Sequence, residues 1–299
     1  MKPAPFRLHR PKSLEEALET LAEVGDEGKV LAGGQSLIPM LNMRLASPAH
    51  LVDINSLKDL NAIEANPRGV RIGALARHAE VERSINAAAV VPLLGQALRL
   101  VAHPTIRNRG TTVGSLVHAD PSGEMTAVLT LLGGEIQLAG KSSHRSLAAG
   151  DFFVGPLETS MAPGELAVSA WFPALPARSG TAFHEVSRRH GDYAMCGVAA
   201  AVTLDQDALV THARVSYVSM TATPVAIDLA AVVGRVPFEK ADWRAAAVLA
   251  GEQLDPEGDI HASEQYRRRV GITLTVRALK EAASRAFGSS SPEEQELAK

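Results

Sequence analysis

Apolar positions along the chain follow two different periods, and each change of period predicts an element. Leu14, Leu18, Leu21 and Val24 recur at three- and four-residue spacing, which puts them on one face of a helix. Ser13 before them, with Glu16 three residues on, has the form of a capping box, in which hydroxyl and carboxylate satisfy each other's free N–H groups. Gly25 and Gly28 end that segment. Short apolar runs at 30–31 and 51–54 read as strands with a helix over 36–45 between them, a βαβ-like start. Further strands are predicted at 70–74, 135–138 and 166–172, and helices at 79–85, 93–101 and 124–132. Pro173, Pro176, Ser179 and Gly180 then gather into a boundary signal. Beyond it, alternating or continuous apolar runs predict three antiparallel strands at 183–187, 198–204 and 213–220. Helices are expected to follow at 225–233, 240–250 and 263–287, before a polar, frayed tail at 288–299.

The pattern describes an α+β protein without internal repeats. At 299 residues and 46% apolar content the chain is long enough for two domains with real cores. A net charge of −3 leaves no basic footprint, so no nucleic-acid partner is expected. Met1-Lys2-Pro3 opens into polar sequence, and no apolar stretch is long enough to span a bilayer. The expected protein is therefore cytoplasmic, without membrane insertion and at most peripheral at the inner membrane face. Cys196 is the single cysteine, which rules out an internal disulfide. An iron–sulfur cluster needs about four thiolates, so this chain cannot hold one. The histidines carry no metal-ligand spacing.

Candidate chemistry concentrates in two glycine-containing loops. In Leu31-Ala32-Gly33-Gly34-Gln35-Ser36, adjacent glycines follow a strand and a hydroxyl residue opens a helix. Glycine permits left-handed backbone and close approach of a ligand, and the free N–H groups of such a turn favour a phosphate. An ordinary strand-to-helix turn would use the same residues, and the absence of G-x-G-x-x-G speaks against a Rossmann fold. A second loop adds weight: Gly110-Thr111-Thr112-Val113-Gly114-Ser115, followed by Asp120 and Glu124. Two anion-cradling loops with a carboxylate behind them suit a ligand that carries a diphosphate and sugar-like hydroxyls.

The runs 31–53, 106–124 and 188–198, in this order and spacing, resemble the FAD-binding medium subunit of molybdenum hydroxylases, the group of aerobic carbon monoxide dehydrogenase and xanthine dehydrogenase. The resemblance extends nearly end to end. It implies a two-subdomain FAD-binding fold of the vanillyl-alcohol-oxidase/PCMH type over 1–177, divided near 56/57. A smaller α+β domain over 178–287, with a three-stranded antiparallel sheet and helices, would follow. By the same resemblance, Ala32, Gly33, Gly34, Gln35 and Ser36 hold the FAD pyrophosphate together with Thr111, Thr112, Val113, Gly114 and Ser115. Glu124 meets cofactor hydroxyls, and Tyr193 covers one face of the flavin. Gln35 stands where relatives often have His, and Val113 replaces a glycine; a position that required positive φ would strain a valine.

What the resemblance implies for function is electron transfer. A large subunit with a molybdenum–pterin cofactor hydroxylates substrate, a small subunit carries two [2Fe-2S] clusters, and FAD in this chain passes electrons to quinone, NAD or oxygen. The assembly implied is a dimer of heterotrimers. A self-sufficient flavin oxidase or dehydrogenase of the same fold, and a flavin-free assembly subunit, are the alternatives. His118 and Asp120 are a possible acid–base pair. His184 is read as a surface residue, Cys196 as buried and inert, and Arg267-Arg268-Arg269 as a solvated helix face. Arg107 and Arg109 border a cofactor or a partner at most.

Overall fold

The computed structural model describes residues 2–288. Its first sheet is parallel, with His50–Asp53 between Arg7–His9 and Gly28–Leu31. The predicted βαβ start is present, and the N-terminal strand Arg7–His9, unmarked by any apolar run, completes it. Helix Leu14–Val24 begins where the capping box placed it: Ser13 Oγ accepts from Glu16 N, and Glu16 Oε2 accepts from Lys12 N.

A five-stranded antiparallel sheet follows, in the order Ile63–Asn66, Gly69–Gly73, Leu166–Pro173, Glu135–Gly140, Ser143–Ala148. Helices pack on it around one apolar core that contains Ile72, Leu94, Leu98, Leu116, Leu129 and Phe172. The helix expected over 79–85 is two short ones, His78–Arg83 and Ile85–Val90. Ser84 is extended between them, and its hydroxyl caps the second by accepting from Ala87 N. Three other helices are shorter or displaced: Leu37–Asn42 for 36–45, Pro92–Leu98 for 93–101, and Trp243–Glu252, capped by Asp242, for 240–250.

From Ser179 the chain forms a second antiparallel sheet, Ser179–Ser187, Ala194–Leu204, Val210–Val218 and Ala226–Asp228. This sheet has four strands where three were expected. The segment expected as a helix over 225–233 is instead the edge strand plus a single turn, Ala230–Val233. Its apolar residues satisfy either period over so short a run, and pairing with Val210–Val218 decides for the strand. The sheet is covered on both faces. The long helix Glu264–Gly288 packs on one, where Val198, Val202, Val215, Leu274 and Leu279 form a core of their own. Phe183, Ala199, Ala201 and Val218 point the other way, into the core of the first half. Of the tail expected to fray at 288–299, Gly288 closes the long helix, and 289–299 lie outside the described residues.

Candidate functional site

The first glycine loop leaves the parallel sheet at Leu31, beside Asp53, and turns through 32–36 into helix Leu37–Asn42. Gly34 has φ +71°, the left-handed region that other residues enter only with strain. Gly33 is fixed by proximity. A Cβ there would lie 2.5 Å from Arg109 O and 2.7 Å from the Gly110 Cα, so the two loops touch at a point with no room for a side chain. The N–H groups of Gly33, Gly34, Gln35 and Ser36 find no acceptor among the described residues. Ser36 sits at the helix N-cap, yet its hydroxyl caps nothing, and Gln35 Nε2 bonds back to Gly33 O at 3.2 Å. Four successive unpaired donors at the edge of a cavity form a nest for an anion.

That cavity has a volume of about 620 Å³ and is lined by the loop together with Ile38, Asn55 and Arg109. Asn55 and Arg77 hold its walls. Asn55 Nδ2 donates to Ala32 O (2.8 Å) and Asp53 Oδ1 (2.7 Å), while Asn55 Oδ1 accepts from Arg77 Nη2 (2.7 Å). Arg77 Nη1 donates to Arg109 O at 2.5 Å, closing the link between the loops. Neither Asn55 nor Arg77 was legible as a site residue. The only local hint is Glu80, three residues after Arg77, which accepts from Arg77 N as a helix-start partner.

The second motif is less a loop than the start of a helix, Thr112–His118. Thr111 is its N-cap and accepts from Gly114 N at 3.1 Å; a Cβ on Gly114 would lie 2.5 Å from that hydroxyl oxygen. Thr112 N donates to Ala76 O, Thr112 Oγ1 meets His78 Nδ1 at 3.2 Å, and Ser115 N donates to Thr111 O. Val113 lies in the first helical turn with its side chain 2% exposed, and its φ is not positive. Valine is unstrained there, because the position needs helical and not left-handed backbone. Its N–H has no acceptor among the described residues.

The helix spans about 10 Å at 1.5 Å per residue and leads to a second cluster. Glu124, the first residue of helix Glu124–Leu132, is 9% exposed. Burial pushes its carboxyl up to about 7, against a bond from its own amide and with help from the Asp120 charge. Glu185 reaches about 8, through burial first and then the field of Glu124. Tyr193 is 70% exposed, so it is no core tyrosine. Its hydroxyl is nevertheless held above its ordinary value, by desolvation first and then by the charges of Asp120 and Glu124. His118 Nε2 lies 3.8 Å from Asp120. Ser219 staples the cluster to the second sheet: its N–H donates to Pro121 O (2.9 Å), and its hydroxyl donates to Ala194 O (2.6 Å) and lies 2.9 Å from Ser122 Oγ.

The structure therefore groups 32–36 with 109–111 at one end of a short helix, and Asp120, Glu124, Glu185 and Tyr193 at the other. Other residues are elsewhere. His184 bonds Glu281 at 2.5 Å on the opposite face of the sheet. Arg107 is buried, bonded to Glu82 at 2.9 Å and to Val101 O and Ala102 O, so only Arg109 faces the cavity. Arg267 departs from the expected solvated face. It is 5% exposed and bonds Met195 O, Ser219 O and Asp259, because those carbonyls at the sheet's end need a buried donor. Cys196 is buried, with its thiol pushed up to about 12 by desolvation. Among the described residues, no three His, Cys, Asp or Glu side chains are grouped to hold a metal ion. No described helix is long and apolar enough to cross a membrane.

A strand–glycine turn–helix nest joined to a second helix N-terminus defines a protein that binds a nucleotide-containing cofactor by backbone donors. Comparison with known proteins specifies the class. Residues 4–175 match the FAD binding domain in molybdopterin dehydrogenase, and residues 181–282 match the CO dehydrogenase flavoprotein C-terminal domain. The chain is 40% identical to the 6-hydroxypseudooxynicotine dehydrogenase complex subunit alpha of Paenarthrobacter nicotinovorans, over 96% of this chain and 97% of that one. Its fold superposes on carbon monoxide dehydrogenase from Hydrogenophaga pseudoflava with TM-score 0.90 and 32% identity, covering 95% of this chain and 99% of the other. On quinoline 2-oxidoreductase from Pseudomonas putida 86 the TM-score is 0.86 at 33% identity, covering 96% and 99%. The chain belongs to the family of FAD-binding subunits of molybdenum-hydroxylase oxidoreductases, with the PCMH-type fold that its sequence implied.

Proposed function

We propose that this chain is the electron-transfer subunit of a heterotrimeric molybdenum hydroxylase and holds FAD between its two glycine-containing motifs. The observation that carries the reading is the row of unpaired N–H groups at 33–36 against the Arg109 wall, at the one point where a Cβ on Gly33 would close the contact. Ala32 to Ser36 and Thr111 to Ser115 supply backbone donors and hydroxyls for the diphosphate. Asn55 and Arg77 fix the distance between the motifs, Arg109 contributes the charge facing the diphosphate, and Glu124 accepts from cofactor hydroxyls. Tyr193, exposed at the start of its strand, offers a ring for offset stacking on the flavin. Once bound, FAD supplies a two-electron carrier that accepts electrons from iron–sulfur clusters and releases them to an external acceptor.

The clusters, two of the [2Fe-2S] type, belong to a small partner, and the molybdenum–pterin cofactor with the substrate pocket to a large one. Two such trimers pair, in the cytoplasm, and the acceptor is quinone, NAD or oxygen. We place the division between FAD-binding and C-terminal domains at 177/178, with a subdomain division at 56/57, in keeping with membership of the three main sheets. Expression of the whole gene neighbourhood with a tag on this chain tests the assembly. The tagged chain should carry FAD and bring down one larger and one smaller chain with molybdenum and iron. A yellow chain that is active alone on an organic substrate would instead identify a self-sufficient flavin enzyme, and a colourless one a flavin-free subunit.

A further inference from the structure

Tyr193 is the last residue before strand Ala194–Leu204, and the ladder around the first residues of that strand is incomplete. On one side, pairing with Val210–Val218 stops at Gly197 opposite Val218. On the other, Cys196 pairs with Val186 and Ala194 with Ser187, so Met195 is the extra residue of a bulge. A bulge bends its strand and re-aims the side chains beside it. The carbonyls of Ala194 and Met195 find donors outside the ladder, in two side chains.

Ser219 is the first. Its backbone stands in the left-handed region at φ +60°, which a serine enters at a cost. Its polar groups are all engaged: the hydroxyl on Ala194 O, the N–H on Pro121 O, and the carbonyl with Arg267 Nη1 (3.1 Å). Ser122, beside that hydroxyl, donates its N–H to Asp120 Oδ1 at 2.8 Å. One residue thus joins the start of the Tyr193 strand to the loop that leads into Glu124, across the seam between the two halves. Arg267 is the second. From the long helix, 5% exposed, it donates Nη1 to Met195 O (2.5 Å) and Nη2 to Asp259 Oδ2 (2.6 Å). Asp259 is itself held by the N–H groups of His261 and Ala262. Gly271, one turn along the helix, permits that reach: a Cβ there would lie 3.0 Å from Met220 Cε, so the helix passes close over the end of the sheet. A planar guanidinium shared by carbonyls of two neighbouring strands fixes their spacing as well as their direction.

We propose that Ser219 and Arg267 are positioning residues for the aromatic cover of the flavin: together they hold the bulged strand start against the Asp120–Glu124 loop, and so set where Tyr193 meets the ring. The proposal rests on the reading that this chain binds FAD with Tyr193 against the flavin. Neither residue need touch the cofactor, since the hydrogen bonds of both run to backbone and to protein side chains. Loss of either frees a strand end that has no ladder to fall back on, and Tyr193 leaves the flavin while the two cores stay folded.

The full-length chain loaded with FAD tests this in wild type, Ser219→Ala, Arg267→Met, Arg267→Lys and Tyr193→Ala, with cooperative melting as the check on each fold. A tyrosine stacked on a flavin quenches its fluorescence, so Tyr193→Ala marks the unstacked value. Per bound flavin, Ser219→Ala and Arg267→Met should each recover about half or more of the difference between wild type and Tyr193→Ala, and should add nothing in the Tyr193→Ala background. Arg267→Lys, which keeps one cationic donor, should recover less than Arg267→Met. If Arg267→Met does not fold, Ser219→Ala and Arg267→Lys decide. Wild-type emission in the positioning variants or in Tyr193→Ala, or an equal rise in the absence of Tyr193, overturns the proposal. If the wild type binds no FAD, alone or co-expressed with its gene neighbours, the flavin reading fails and the stacking with it. Hydrogen exchange of the free chain still decides the coupling: 119–124 and 193–196 should both exchange faster in Ser219→Ala, and unchanged exchange overturns it.

Discussion

Gly33 and Gly34 serve the same site for different physical reasons. Gly34 needs its freedom of φ, whereas Gly33 needs the absence of a Cβ against Arg109 O and Gly110. Gly33→Val should therefore force the two motifs apart and yield folded chain with little bound FAD, read as the ratio of flavin to protein absorbance. Retention of full flavin content in that variant would contradict the cradle. Arg109 is the cation lining the cavity, and a charge-assisted hydrogen bond is worth about 1.5–3 kcal/mol. Arg109→Met should weaken FAD binding by about tenfold or more by fluorescence titration, and the difference should shrink as salt is added. The glycine pair was legible in the sequence because its conformational freedom is intrinsic to the residue. The choice between Arg107 and Arg109 was not, since two residues separate a core ion pair from a cavity wall and only helix orientation distinguishes them.

At the scale of elements, the Thr111 cap matters most to the site. Its hydroxyl satisfies Gly114 N and so shapes the first turn, in which the Val113 N–H has no acceptor among the described residues. Thr111→Val keeps the shape and deletes the acceptor. It should cost about 1 kcal/mol of stability, seen in the urea midpoint, and should also lower FAD affinity. An unchanged affinity would separate the helix N-terminus from the cofactor. The long amphipathic helices were readable because their period repeats several times. Short ones were not: the start of helix Thr112–His118 looks like a loop, and 226–228 looks helical until its neighbouring strand is known. The break at Ser84 is of the same kind, a local cap that periodicity passes over.

The whole molecule is two cores joined by one sheet that faces both, so its response to pH is a property of buried groups in both halves. His78 is buried beside Thr112, and desolvation first, then the Arg107 charge, lowers it to about 4. A histidine lowered in the folded state contributes stability above its ordinary value of 6.5, and that stability is lost as pH falls through about 4. Denaturant midpoints should accordingly drop over that acid window, and His78→Gln should flatten the drop; an equal acid slope in the variant would rule out His78 as its source. The raised carboxyls act in the opposite direction, since stability held by their protonated forms is lost as pH rises through about 7 and 8.

The family, the two glycine-containing motifs and the order of most long elements were readable in the sequence. These rest on properties that travel with the residue: glycine's missing side chain, the apolar period of a long helix, the chemistry of a hydroxyl before a helix. The tertiary structure was needed to show that Asn55 and Arg77 clamp the motifs, that Val113 sits in a helical turn, and that Arg267 is buried against backbone carbonyls. Each of those depends on which distant segment shares a buried space. Burial sets the dielectric, the hydrogen-bond partners and the charge state together, and none of these is carried by a residue before the chain has folded.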